Sequence, residues 1–342
     1  MRRTLPGMNT TNDVTPTALW TEKSPDLRPR RAALALAGPL LVALGMGCQP
    51  APQTPRVAEG APTTTALPPV QTSPVAPAAD TGSAEHKRVI MKISESGSGR
   101  NILVLHGGGG PATMTPLVAH LAERAHVLTA THPGWNGTPR PESLRTIAAL
   151  ADEYVRYLDE HDLKDVVVIG SSIGGWLGAE VALRDTAHRV TGLVIINGVG
   201  VDIQGHPITN ITGFPPQEIA KVAFHDPANF GKGAPPPTPE LLAMMRANQA
   251  TLAVFSSDTY GYDPTLLARL AGIHVPTLVL WGASDRVVTR EYGLAYAAAI
   301  PGSKFETVAA AGHLPWLEQP AETFRQVDLF VAATASARRQ GG

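Results

Sequence analysis

A serine framed by glycines is the first place where this 342-residue chain could do covalent chemistry. Gly170-Ser171-Ser172-Ile173-Gly174-Gly175 follows an apolar, β-type segment, Asp165–Ile169, and precedes a helical run, Trp176–Leu183. A Ser in G-x-S-x-G at a strand-to-helix turn is carried beyond the carboxyl end of a sheet. It then sits at a helix N-terminus, whose partial positive charge favours a developing oxyanion. The glycines are required because so tight a turn has no room for side chains. Ser172 holds the nucleophile position, and Ser171 reads as a small neighbour.

Three further motifs supply what an activated serine needs. His106-Gly107-Gly108-Gly109-Gly110-Pro111 ends the segment Asn101–Leu105, and its glycines let backbone N–H groups approach a substrate oxygen closely. No Gly-Lys-Ser/Thr follows and no dinucleotide spacing appears, so a phosphate cradle is not indicated. Gly108 N–H is assigned as one oxyanion donor and Ile173 N–H as the other; spacing alone does not separate Gly108 from Gly109. His106 reads as a structural residue at the strand end. Asp285, in Trp281-Gly282-Ala283-Ser284-Asp285-Arg286, and His313, in Ala311-Gly312-His313-Leu314-Pro315-Trp316, each follow a later β-type segment. The order Ser172, Asp285, His313 fits a nucleophile, a residue that orients the base, and the base itself. Asp202 is the second choice for the acid. His161-Asp162 and His225-Asp226 lack H-E-x-x-H spacing and read as surface pairs rather than metal ligands. Trp135, Trp176 and Trp316 suit either a pocket wall or packing on the sheet.

These residues must be positioned by alternating strands and helices. The expected strands are 88–93, 101–105, 126–130, 165–169, 190–195, 277–281 and 304–308. The expected helices are 114–124, 142–160, 174–185, 289–299 and 321–334. Segments such as VVVIG and LVLW are apolar on both faces, as in a parallel sheet covered by helices on each side. Alternation at this spacing means a doubly wound α/β domain. Residues 200–268 break the rhythm with Gly-Phe-Pro-Pro, Gly-Ala-Pro-Pro-Pro and two expected helices, 216–223 and 239–248. That is too long for a plain loop, and a helical cap over the sheet is expected.

The motifs HGGGG, HPGWNGTPRP, GSSIGGW, WGASDRVV and AGHLPWLEQP resemble those of the α/β-hydrolase fold family, from about residue 88 to about 335. The resemblance implies a mostly parallel eight-stranded sheet with an inserted helical cap, and a Ser172–His313–Asp285 triad working without metal or organic cofactor. It departs from the family at Thr131-His132-Pro133-Gly134, where many members have an Asp shortly before Pro-Gly. A serine nucleophile, rather than Asp, points away from the dehalogenase and epoxide hydrolase branches and toward an acyl-enzyme. Hydrolysis of a carboxylic ester or lactone is the expected reaction on a small-molecule substrate. Carbon–carbon bond hydrolysis and cofactor-free perhydrolysis use the same constellation. A tethered binding protein with little turnover is the reading of a different class.

The catalytic region, residues 86–337, is preceded by sequence of another character. Residues 1–85 hold 13 of the 31 prolines and one aromatic, Trp20. Arg28, Arg30 and Arg31 lead into a 16-residue apolar or small run, Ala32–Gly47, that ends at Cys48, the only cysteine. The run is short for a membrane span and close to an export-signal core. Residues 1–48 resemble a bacterial lipoprotein signal, although Gly45 stands where such signals usually carry Leu. The resemblance implies lipidation of Cys48 and a catalytic domain outside the cytoplasm, anchored to a cell-envelope membrane. Residues 49–85, with eight prolines and no aromatics, read as a disordered tether spanning up to about 115 Å. The lone cysteine excludes disulfide frameworks and CxxC redox sites. The whole chain balances 28 basic against 29 acidic residues, and the part after residue 47 carries 22 against 26. Nucleic acid is therefore not an expected partner.

Overall fold

A computed structural model describes residues 89–230, 236–256 and 260–341. The export signal, Cys48 and the tether lie outside the described residues. Seven strands form one sheet: β1 (Lys92–Ser96), β2 (Arg100–Leu105), β3 (Ala125–Thr131), β4 (Val166–Ser171), β5 (Val190–Ile196), β6 (Thr277–Gly282) and β7 (Lys304–Val308). Their order is β1-β3-β2-β4-β5-β6-β7. Only β1 is antiparallel to its neighbour. The eight-stranded sheet implied by the family resemblance is thus one strand larger than the sheet among the described residues.

The double apolar character of the strands has a direct consequence. Successive side chains point to opposite faces, so Val166 and Val168 enter one core while Val167 and Ile169 enter the other. The first core also takes in Tyr154 and Leu158 of α2 (Ile147–Glu160) and Leu177 and Val181 of α3 (Ile173–Arg184). The second includes Leu117 and Leu121 of α1 (Thr115–Leu121). Thr146 caps α2 by accepting from Ala149 N at 3.1 Å. That cap starts the helix at Ile147, later than the polar stretch from Glu142 suggests.

The chain reverses its direction across the sheet at the middle. It moves from β2 outward to β3, then returns to the other side of β2 to form β4. The carboxyl ends of β2 and β4 therefore lie side by side, with Leu105 in register with Gly170. A crevice outside the strand ends at such a reversal is where open α/β sheets bind ligands. The glycine turn after β2 and the serine turn after β4 meet there.

Residues 197–276 connect β5 to β6 and carry α4 (Pro216–Ala223), α5 (Pro239–Ser256) and α6 (Leu266–Arg269). Helix α5 runs two turns beyond the expected end at residue 248, and its extension packs Phe255 into the core. The remaining helices are α7 (Arg290–Ala298), α8 (Pro315–Glu318) and α9 (Pro320–Gly341). One buried charge ties α6 to the serine helix. Glu180 of α3 is fully buried and receives both Arg269 Nη1 at 2.8 Å and Arg269 Nη2 at 2.7 Å, with Arg184 one turn away as a second partner. The paired carboxylate in turn holds the Arg269 guanidinium well above its ordinary range. Removing one member of a buried pair costs about 3–5 kcal/mol when the survivor has no other partner. Because Arg184 remains, Arg269→Met is expected to destabilise the fold by about 2 kcal/mol. Urea unfolding followed by circular dichroism measures this directly, and a change below a few tenths would show that Arg184 alone satisfies Glu180.

Candidate active site

Ser172 sits between β4 and α3 with φ 55° and ψ −121°. A side-chain-bearing residue rarely adopts positive φ, so the turn must be held from several directions. Ser172 N donates to Ile196 O at 3.0 Å. Ser172 O accepts from Gly175 N at 2.9 Å, Val199 N at 3.2 Å and Trp176 N at 3.3 Å. The flanking glycines are required by contact as well as by the turn. A Cβ on Gly170 would stand 2.0 Å from Gly174 O, and one on Gly174 would stand 2.2 Å from Leu105 O. Ile173 opens α3, so its N–H is one of the donors a helix leaves unpaired at its start.

His313 and Asp285 come together from different loops. His313 Nδ1 lies 2.7 Å from Asp285 Oδ2. A carboxylate only accepts, so Nδ1 carries the proton and Nε2 keeps its lone pair. Asp285 is buried, and its charge is met by Val287 N at 2.8 Å, Val288 N at 3.2 Å and Asn197 Nδ2 at 2.5 Å. Asn197 was not among the residues singled out from the sequence. It follows β5 at φ 47° and accepts from Gly282 N at 3.2 Å, joining the ends of β5 and β6 behind the Asp285–His313 pair. A lone Asn after an apolar strand offers no distinguishing signal. Asp202, the second choice for the acid, is exposed, and the His313 ring nitrogen Nδ1 is taken by Asp285.

The histidine loop is fixed independently of Asp285. His313 N donates to Ala223 O at 2.8 Å, and Gly312 N donates to Glu318 Oε2 at 2.6 Å. Trp316 Nε1 donates to Thr113 O at 2.9 Å, linking this loop to the segment after the glycine turn. Trp135, Trp176 and Trp316 are all buried, and none lines the cavity described next. His225 of the His225-Asp226 pair lies 2.7 Å from Ser284 Oγ through Nδ1, and His161 packs its ring on Tyr157. Among the described residues no group of three or more His, Cys, Asp or Glu is arranged to hold a metal ion.

A cavity of about 90 Å³ is lined by Ser172, His313, Ile173 and the turn glycines Gly107, Gly108 and Gly109. The rest of its wall is mainly aliphatic, with Ile208, Ile211, Ile219 and Leu252 from the β5–β6 connection and Val287 and Leu314 from the loops. Besides Ser172 and His313, its polar side chains are Thr113, Ser171, Thr209, Ser256 and Tyr260, and no Asp, Glu, Lys or Arg lines it among the described residues.

Beneath the glycine turn lies a pair of buried histidines. The His106 and His132 rings pack against each other with centroids 3.8 Å apart and their planes tilted by 33°. His132 Nε2 donates to His106 O at 3.0 Å, which leaves Nδ1 to accept the Tyr154 hydroxyl at 2.6 Å. His106 Nδ1 donates to Gly107 O at 2.7 Å, and its Nε2 accepts from His132 N at 3.1 Å. Each ring therefore uses one donor and one acceptor, and both are neutral. Burial lowers the His132 imidazole to about 4. Burial, reinforced by His132 itself, lowers His106 well below the ordinary histidine range.

The chain matches the alpha/beta hydrolase family over residues 102–326 and belongs to that family; it is a hydrolase. A protein of Azorhizobium caulinodans named as a carbamate hydrolase, RutD, is 29% identical over 236 residues, covering 64% of this chain and 85% of its own. Est816, described as an N-acyl homoserine lactone degrading enzyme, superposes with a TM-score of 0.57 at 24% identity, covering 70% of this chain and 96% of its own. The meta-cleavage product hydrolase CumD of Pseudomonas fluorescens IP01 superposes with a TM-score of 0.57 at 18% identity, covering 72% and 95%. These two share the fold with this chain.

The neutral histidines set a pH dependence. Unfolded, each titrates near 6.5; folded, His132 titrates at about 4 and His106 well below its ordinary value. Between these limits the unfolded chain binds more protons, so their contribution is complete above about pH 6.5 and declines as the pH falls toward about 4. Thermal melts from pH 7 to pH 4 are expected to show a falling Tm, with a shallower slope in His132→Asn. An identical slope in that variant would place the acid sensitivity elsewhere.

Proposed function

We propose that the protein is a serine hydrolase that cleaves an uncharged carboxylic ester or lactone through an acyl-enzyme. The observation that carries this reading is the shared cavity. Ser172 and His313 line it together, and His313 is held by a buried Asp285 in the tautomer that leaves Nε2 free to accept a proton. In this reading His313 Nε2 takes the Ser172 proton as Oγ attacks the acyl carbon. The carbonyl oxygen becomes an oxyanion facing Ile173 N–H and an amide of the glycine turn, that of Gly108. The imidazolium, stabilised by Asp285, returns the proton to the leaving alkoxide, and the acyl group stays on Ser172. Water activated by the same base then releases the acid.

The wall of the cavity supports an uncharged, largely apolar substrate. A carboxylate or ammonium group entering it would lose water and meet no opposite charge among the lining residues, a desolvation cost of several kcal/mol. An ester, lactone or carbamate linkage presents a neutral acyl carbonyl to Ser172. The name carried by the Azorhizobium caulinodans relative is in keeping with acyl chemistry of this kind.

Wild-type protein is expected to be labelled by a fluorophosphonate probe and to hydrolyse p-nitrophenyl esters. Ser172→Ala is expected to lose the label and about four orders of magnitude or more in kcat. Absence of labelling in folded wild type, or unchanged turnover in Ser172→Ala, would overturn the assignment.

We further propose that the chain is exported and held at a cell-envelope membrane through a lipidated Cys48. The basic-then-apolar run ending at the single cysteine supports this. Mass spectrometry of the protein from a bacterial membrane fraction is expected to find a diacylglyceryl N-terminal Cys48. An unmodified chain still beginning at Met1 or Met8 would refute it.

A further inference from the structure

We propose that Tyr154, His132, His106 and Trp135 form a support that aims the amides of the glycine turn at the oxyanion before substrate arrives. The proposal rests on the acyl-transfer reading of Ser172 and assigns these four as positioning residues. Its basis is the fate of two carbonyl groups. In a trans peptide the N–H points opposite to the C=O of the same plane, so fixing the carbonyl fixes the amide. Gly107 O accepts from His106 Nδ1 at 2.7 Å and from Gly110 N at 3.1 Å, which sets the direction of Gly108 N–H. Gly108 O accepts from Trp135 Nε1 at 3.0 Å, which sets the direction of Gly109 N–H. Both candidate donors thus belong to peptide planes locked from the carbonyl side.

Glycine gives no steric reason for such a turn to keep one conformation. Beyond the one Gly110 N to Gly107 O bond within the turn, the order comes from outside it. His106 is held through both its ring and its backbone: His132 N donates to its Nε2, and His132 Nε2 donates to its carbonyl oxygen. His132 is held in turn by the Tyr154 hydroxyl of α2, which burial keeps firmly protonated and therefore a donor. Trp135 stands edge-on to both imidazoles, at centroid distances of 5.5 and 5.6 Å, and is stacked on Phe255 of α5 at 5.5 Å. On the opposite side of the turn, Leu252 of α5 lies where a Cβ on Gly108 would come within 2.7 Å of it. The turn is gripped between a polar support and an apolar cover. Preorganised donors are worth most where they need not reorganise as charge develops, and a chain of four glycines has this property only if it is held.

The test uses Tyr154→Phe, which keeps the ring and removes only the hydroxyl, and Trp135→Phe, which stays aromatic but removes the indole N–H together with part of the ring system. Tyr296→Phe is the control, since its buried hydroxyl has no hydrogen-bond partner among the described residues. With a p-nitrophenyl ester, both support variants are expected to lose roughly 10- to 100-fold in kcat, less than the loss of a whole oxyanion donor. KM is expected to stay within about twofold, and inhibition by an alkylboronic acid, which forms a tetrahedral adduct on a serine, to weaken in step with kcat. Tyr296→Phe is expected to leave all three unchanged. A lowered Tm with kcat and boronate inhibition unaffected would overturn the proposal, as would a raised KM with kcat unchanged. If Trp135→Phe fails to fold, Tyr154→Phe decides alone. Failure of the underlying reading is seen separately, as turnover that survives Ser172→Ala.

Discussion

The positive φ of Ser172 is the constraint around which the sheet is arranged. A non-glycine residue in that region costs on the order of 1–3 kcal/mol and persists only where its surroundings over-determine it. Here the surroundings are the strands on either side. Ile196, at the end of β5, accepts the Ser172 amide, and Leu105, at the end of β2, is the wall that Gly174 must approach. The elbow therefore needs β4 between β2 and β5, the position that the reversal of chain direction gives it. The same placement sets the glycine turn beside the serine, because the two turns leave adjacent strand ends in register. Strain in one residue and topology of the whole sheet are two descriptions of one solution.

The fold handles two buried carboxylates in contrasting ways. Glu180 is neutralised by guanidinium groups, with Arg184 on its own helix and Arg269 arriving from the β5–β6 connection. Among the described residues no Lys or Arg pairs with Asp285. Two backbone amides, one side-chain amide and the His313 ring satisfy it instead. An arginine at Asp285 would hold the carboxylate but remove its influence on His313. Neutral donors leave the negative charge free to favour an imidazolium when one forms. Asn197 is suited to that role because its amide gives a donor to Asp285 while its oxygen takes Gly282 N.

What was legible in the sequence is what tight turns and covered strands demand locally. The glycines of GSSIGG and HGGGG, the doubly apolar runs of β4 and β6 and the order of Ser172, Asp285 and His313 follow from rules that operate within a few residues. What was hidden depends on partners far apart in the chain. Asn197 meets Asp285 across 88 positions, and nothing around Asn197 marks it. His106 could be read only as a strand-end residue, because its partner His132 is 26 positions away. The expected end of α5 at residue 248 failed for a similar reason. The helix continues because Phe255 has Trp135 to stack on, a contact that local propensity does not contain.

The loop from His132 to Gly137 joins these separate features. Toward the sheet it supplies His132 and Trp135 to the glycine turn. Toward the β5–β6 connection it receives α5: Asn136 N donates to Asn248 Oδ1 at 2.8 Å, Asn248 Nδ2 donates to Asn136 Oδ1 at 2.9 Å, and Thr251 Oγ1 donates to Gly134 O at 2.9 Å. Asn136 holds φ 51° to make that reciprocal pair, a conformation an asparagine adopts more readily than most residues. The helix that covers the cavity is thus seated on the loop that braces its floor. Segments more than 100 residues apart in the chain thus meet at this one loop. The departure at Thr131-His132-Pro133-Gly134 from the pattern common among α/β hydrolases fits this arrangement. With His132 in the loop, the support under the turn is built from neutral hydrogen bonds and closely packed rings, with no buried charge at that point.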